Sequence, residues 1–382
     1  MRITNVQHQL VKVPFTQTIH WGSGVRNGTT RLICRIETEC GMQGWGETQC
    51  LIDTVPAAFE RVAELAVGMP VSNAEQLFRK VMGAGYYHHK RAAVMAIAAL
   101  EMAMWDAFGK IAKQPLWALW GGRWRQEVRA AAYTFTRDPN NLREQLKAFA
   151  GDGYRDFKVK VGFDEASDLD LAQVARETIG NDALRLDVNG AWNPGTAKRQ
   201  LEKLKSYDPA YVEQPLELDD LVGTAALRGS QPVPIALDES AYTLQDVGTI
   251  TKLGAADYVL LDPHQAGGLW QVIKAAGICE AHGTQVGLHS GAELAFSQAA
   301  YVHLAASIAN MSLAIDTERK YLASDVSARP PRLTRGAFEV PDTPGLGVEP
   351  DEAQLARFKV DTITGAYLNE AKPGWFPTKP QY

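Results

Sequence analysis

Apolar and polar positions fall into two textures along the chain. Up to about Gly122, residues 3–13 and 30–37 alternate as half-buried strands do, and helical stretches follow. Residues 91–110 form the strongest of these helices: Val94, Ile97, Ala98, Met102 and Trp105 recur at three- and four-residue steps, among alanines that permit close packing. Between the two strands, residues 17–29 are polar and glycine-bearing and carry His20, Trp21 and Arg26. A loop of this composition is a candidate lid, set against a plain solvated connection.

After Gly121-Gly122 short apolar segments alternate with helical ones, the pattern of βαβ units around a parallel sheet. Strands are expected at residues 128–135, 156–161, 183–188, 210–213, 234–238, 257–261, 284–288 and 312–315. Eight parallel strands close into a barrel. An open doubly wound sheet is the competing architecture, but no G-x-G-x-x-G follows an early strand. The expected fold is therefore α/β: a modified (β/α)8 TIM-type barrel over residues 126–349, preceded by an α+β domain over residues 1–125.

From the second strand onward, each expected strand ends in a residue able to do chemistry: Lys158 and Lys160, then Asp187, Glu213, Asp238, Asp262, His289 and Asp316. From Lys160 the steps are 27, 26, 25, 24, 27 and 27 residues, about one βα unit each. A barrel places the C-terminal ends of its strands on one face, so these groups converge on one pocket. A lone strand-end Asp more often caps the next helix; a whole series in phase does not read that way.

Charge and composition narrow the partners. A formal net charge of -5, with no Lys/Arg-rich stretch, leaves no basic surface for nucleic acid or an anionic membrane, so a small molecule is expected. Cys34, Cys40, Cys50 and Cys279 show no C-x-x-C spacing and read as buried thiols of a reducing cytoplasm. No secretory h-region opens the chain, and no uninterrupted apolar run nears the length of a membrane span.

Asp187, Glu213 and Asp238 lie on three consecutive strands, where they cannot all stay ionised without a cation among them. Oxygen ligands without thiolate or imidazole favour Mg²⁺, with Mn²⁺ able to substitute. Lys158 and Lys160, two residues apart on one strand, point to the same face. Their mutual repulsion beside a metal is expected to lower the pKa of at least one toward neutrality and make it a base. Asp262 and His289 end neighbouring strands, where the carboxylate can hold the imidazole and raise its basicity.

These residues together resemble the mandelate racemase and muconate lactonizing branch of the enolase superfamily. The resemblance rests on the K-x-K pair, the three carboxylates, the Asp262–His289 dyad and Ala103-Met104-Trp105-Asp106-Ala107 with Gly121-Gly122. It implies a capping domain at the N-terminus, onto which a tail of about residues 350–382 packs back, and a homo-oligomer. It implies Lys160 as base on one face of the substrate, His289 as acid or base on the other, and Lys158 at the substrate carboxylate. The absence of a lysine at Asp262 argues against a cycloisomerase. Asp262-Pro263-His264, His289-Ser290 and Leu313 to Thr317 look most like the glucarate-type acid-sugar dehydratases. Two positions depart: that relative carries Asn where this chain has Asp238 and Gly291. The implied activity is loss of water from a polyhydroxy acid, giving a 2-keto-3-deoxy acid.

Further contacts are expected from Asn189, which either touches substrate or braces a turn, and from Asp316 or Glu318, which either meet a substrate carboxylate or pair with Arg319 and Lys320. Arg26 and His20 are expected at the substrate's distal end, and His264 behind the dyad. Racemisation or epimerisation of an α-substituted carboxylate is the alternative on the same site. A Schiff-base aldolase, or a barrel that binds metal without catalysis, are more distant ones.

Overall fold

The computed structural model describes residues 1–21, 24–51, 53–363 and 381–382, apart from the side chains of Tyr86 and Tyr87. Strands β1 (Ile3–Trp21), β2 (Gly24–Thr38) and β3 (Gln43–Gln49) form an antiparallel sheet, against which helices α1 (Thr54–Ala66), α2 (Ala74–Gly83) and α3 (Lys90–Ala112) assemble. The region expected as a loop is a correction: both strands run on, with Ile19 opposite Arg26, His20 opposite Val25 and Trp21 opposite Gly24. Alternate side chains of this polar stretch face inward. Phe15 and Ile19 are buried with Tyr133, Phe135, Ala292 and Tyr321 of the barrel, so tertiary packing stabilises strand where local composition does not. Residues 22–23, at the hairpin's turn, lie outside the described residues.

Helix α3 is buried nearly all round because it lies between the sheet and the barrel. Its alanines make room for β3: a Cβ on Gly46 would stand 2.0 Å from the Ala99 carbonyl oxygen, and one on Gly44 2.1 Å from that of Ala103. No uninterrupted apolar run of membrane-spanning length occurs in the amino-acid sequence. By length and composition α3 is long and apolar enough, yet 78% of its apolar window is buried inside the protein, as in a core helix. Of the cysteines, Cys34, Cys50 and Cys279 are buried, whereas Cys40 is exposed, in a turn; all four are free.

Seven parallel strands form the curled sheet: β5 (Ala132–Thr134), β6 (Asp156–Lys160), β7 (Ala183–Asp187), β8 (Tyr211–Glu213), β9 (Ile235–Leu237), β10 (Tyr258–Leu261) and β11 (Gln285–Leu288), adjacent in sequence order. The first expected strand is split before β5. Its leading part, β4 (Glu127–Arg129), joins β12 (Leu333–Thr334) and β13 (Ala337–Glu339) in a small separate sheet. The eighth expected strand is reduced to a bridge between Ala130 and Ile315, where two backbone hydrogen bonds of 2.9 Å link Ile315 to Arg129 and Ala131. The fold is that of a capped TIM-type barrel, with its eighth position held by this bridge.

Helices return the chain between strands, and their starts are written in the sequence. Asp138, Asp164, Asn193 and Asp220 each accept a hydrogen bond from a backbone N–H in the first turn of the following helix. Near the C-terminus β14 (Lys359–Val360) pairs with β1. Most of the remaining tail, residues 364–380, is outside the described residues. The final Tyr382 hydroxyl donates to Asp168 on the barrel.

Candidate active site

A cavity of about 260 Å³ lies where the barrel strand ends meet the β1–β2 hairpin, the end of β3 and α3. Strand register sets its floor: Lys160 is opposite Asp187, Asp187 opposite Glu213, and Lys158 one step below, opposite Arg185. Because side chains alternate, Lys158 and Lys160 both point inward, while Phe157 and Val159 pack in the surrounding apolar core.

The two lysines have different surroundings. Lys158 is fully buried, with Nζ 2.6 Å from Asp316 Oδ2, 2.7 Å from Glu213 Oε1 and 3.2 Å from Asp187 Oδ2. Burial alone would lower its pKa, but Asp187, Asp316 and Glu213 outweigh it and hold the ammonium well above the ordinary lysine value. A lowered pKa is expected in at least one of the two lysines, and Lys158 is not that one, because carboxylate contacts dominate around it. Lys160 instead lines the cavity, donating to Asp187 Oδ2 at 2.6 Å and Asn189 Oδ1 at 2.7 Å.

Asp187 also accepts from the Tyr133 hydroxyl at 3.2 Å. Burial opposes its ionisation, yet Lys158 and Lys160 hold its carboxyl below the usual range. Glu213 is pushed the other way, well above that range, by burial and by Asp187. Glu213 Oε2 and Asp238 Oδ1 are buried without hydrogen-bond partners, and Glu213, Asp238 and His289 each offer an atom within 4.8 Å of the others. Unpartnered carboxylate oxygens on adjacent strands fit a hard divalent cation. Asp187, the third carboxylate expected in that set, is held by the lysines in this arrangement.

His289 also departs from expectation. Its Nδ1 lies 2.9 Å from Asp238 Oδ2, in ion-pair contact although off line for a hydrogen bond. Asp262 accepts instead from the Tyr301 hydroxyl and the His264 backbone N–H, both at 2.7 Å. Burial alone would lower the imidazolium pKa; Asp238 reverses this and raises it to about 10, with a smaller contribution from Asp262. Burial raises the Asp262 carboxyl to about 6, against the effect of His289. His264 receives Arg31 Nη2 at 2.8 Å on Nε2 and is held well below the usual histidine value by burial and that guanidinium.

Of the expected substrate contacts, Asn189 and Glu318 line the cavity, as does Arg26. Arg26 sits on a paired strand, with Nη2 2.9 Å from both Glu318 carboxylate oxygens, so Glu318 pairs with it and not with Arg319 or Lys320. His20 is exposed on the hairpin and absent from the cavity wall. Asp316 is buried beneath the cavity, bonded to Lys158 and Arg185, because strand-end position placed it one layer too low to reach a ligand.

Glu239, Tyr133, Gln265 and Tyr301 were not singled out from sequence. Tyr133 shares the strand-end position of the others, on the first strand, and that signal could have found it. Glu239 accepts from Asn189 Nδ2 at 2.8 Å and follows Asp238 immediately, where strand alternation directs attention away.

Residues 4–121 match the family described as mandelate racemase / muconate lactonizing enzyme, N-terminal domain, and residues 141–354 match enolase C-terminal domain-like. An N-succinyl-L-Arg/Lys racemase from Bacillus cereus is 26% identical over 94% of this chain and 98% of its own. A probable glucarate dehydratase from Streptomyces coelicolor is 30% identical over 86% of this chain and 84% of its own. The crystal structure of an enolase from Thermobispora bispora, complexed with magnesium and formate, is 27% identical, covers 94% of this chain and 92% of its own, and superposes with a TM-score of 0.87. With both halves matched, and with lysines, carboxylates and a histidine gathered at one barrel mouth, this chain belongs to the mandelate racemase / muconate lactonizing enzyme family of the enolase superfamily.

Proposed function

We propose that this protein removes the α-proton of a polyhydroxy acid and expels its β-hydroxyl, yielding a 2-keto-3-deoxy acid through an enediolate. One observation carries the reading: Lys160 and His289 line the same cavity from strands five places apart in the sheet order, with Asp238 and Asn189 on the wall between them. The Streptomyces coelicolor relative supports a dehydratase, and the magnesium complex of the Thermobispora bispora structure supports the metal.

Asp187, Glu213 and Asp238 are the proposed metal ligands, and Mg²⁺ bound there supplies positive charge to the substrate carboxylate as the α-carbon is deprotonated. Lys158, held charged by its carboxylates, adds to the field beneath that carboxylate. Lys160 Nζ, oriented by Asn189 and Asp187, takes the α-proton in its neutral form. His289, whose Nδ1 lies against Asp238, donates in its protonated form to the β-oxygen as the C–O bond breaks, so that the hydroxyl leaves as water. The resulting enol tautomerises to the ketone.

Proton NMR of acid sugars in D₂O with the magnesium-loaded protein tests this. Exchange of the α-hydrogen together with a 2-keto-3-deoxy product is expected; exchange with inversion and no loss of water would favour the racemase reading, which uses the same two groups and which the Bacillus cereus relative supports.

A further inference from the structure

The wall of the cavity formed by Arg26 and Glu318 offers hydroxyl recognition and no open charge for a second carboxylate. Among the described lining residues, the Lys, Arg and His side chains are Lys160, Arg26 and His289, and Lys160 and His289 belong to the reacting end. Arg26 is 8% exposed and Glu318 1%, and with Nη2 at 2.9 Å from both carboxylate oxygens the guanidinium charge is cancelled in place. The rings of Phe15 and Trp21, with centroids 5.7 and 5.3 Å from the guanidinium carbon, flank it. Arg91 lies in the adjoining cleft that shares Leu218 and Tyr242 with the cavity, where Asp219 faces it at 3.7 Å.

A substrate carboxylate brought to this wall meets the Glu318 anion beside a cation already engaged, and like charges so close in a buried site destabilise each other. The unpartnered atoms tell the same story from the other side. Arg26 Nε is a buried donor, and Gln265 Oε1 and Glu239 Oε2 are buried acceptors, all three without a hydrogen-bond partner on residues that line the cavity. A hydroxyl both accepts and donates, so it satisfies either kind. A buried polar atom left unmatched by the wrong substrate is what makes such a wall selective.

We propose that the substrate is a monocarboxylate carrying hydroxyl groups to its remote end, and that Glu318 sets this specificity by holding Arg26. The proposal deepens the dehydratase reading and rests on it for the reacting end. The test uses matched pairs that differ only in oxidation of the terminal carbon, gluconate against glucarate and galactonate against galactarate, with kcat/KM followed by NMR on the magnesium-loaded enzyme. Within the pair whose configuration fits, the monoacid is expected to lead by about 100-fold or more. Glu318→Gln leaves the Arg26 charge uncancelled and is expected to move that ratio about tenfold or more toward the diacid. A wild-type preference for the diacid overturns the proposal, as does an unmoved ratio in folded Glu318→Gln. Where that variant fails to fold, the wild-type ratio decides. If no acid exchanges its α-proton the dehydratase reading falls, and titration calorimetry with the same pairs still decides the specificity: tighter monoacid binding is expected, and equal or tighter diacid binding, or none by either, overturns it.

Discussion

His289 turns its Nδ1 to Asp238, 2.9 Å from Oδ2, while Asp262 is engaged by the Tyr301 hydroxyl. The carboxylate in contact with the histidine is thus one of the proposed metal ligands, and the carboxylate expected to hold it acts from behind. The direction of that contact separates the roles of the two aspartates.

Removing the imidazole should stop the step that needs an acid without stopping the step that needs a base. His289→Asn is expected to lose dehydration by about two to four orders of magnitude, while Lys160 still exchanges an accessible α-proton with solvent deuterium. Lys160→Ala should lose that exchange. Asp262→Asn, which leaves the contact with Asp238 intact, should cost less than His289→Asn. NMR in D₂O reads all three, and wild-type dehydration by His289→Asn would assign the chemistry to the lysine side alone.

Burial raises the Asp262 carboxyl to about 6, so its negative charge is present above that pH and lost as pH falls through it. Activity that uses the ionised Asp262 carboxylate should rise with pH through about 6. The Tyr301 hydroxyl stabilises the ionised carboxylate, so Tyr301→Phe raises the Asp262 pKa further and moves the acid limb of kcat/KM to higher pH. A limb that stays in place or moves down in the pH–rate profile of this variant contradicts the assignment.

Chelation should abolish activity, and magnesium or manganese should restore it; recovery with zinc alone would count against an oxygen-ligand site. Binding to the native state should also raise Tm. Glu213→Gln, which keeps the shape of the side chain and removes its charge, should lose most of that rise in a thermal melt.

Glu101, on α3, joins the cap to the barrel by accepting from the Leu269 and Trp270 backbone N–H groups at 2.8 and 2.9 Å and from Trp105 Nε1 at 2.8 Å. It satisfies, from a different element, backbone donors at the buried start of the helix Leu269–Ala281 that have no partner within that helix. Glu101→Ala leaves these donors without a partner and should lower stability by about 3 kcal/mol. Urea unfolding checks this, and an unchanged midpoint would show that the donors find water or another acceptor.

Local signals identify what strand-end position dictates and miss what neighbouring elements impose. Asn189 and Glu318 were visible as polar residues just past barrel strands, but Glu239 was not, because its importance comes from reaching Asn189 across 50 residues. The hairpin read as a loop for the same reason: residues 17–29 lack strand composition, and their pairing depends on Phe15 and Ile19 finding the barrel's aromatic cluster.

The amino-acid sequence by itself determined that Lys160, Asp187, Glu213, Asp238, Asp262 and His289 meet, since residues one βα unit apart at the ends of parallel strands share a rim whatever their loops do. Only the tertiary structure decided how they pair: Lys158 enclosed by three carboxylates, His289 against Asp238, and Arg26 cancelled by Glu318 from 292 residues away. Which buried charges touch depends on how the hairpin docks and how each strand end is rotated, and neither leaves a period in the sequence.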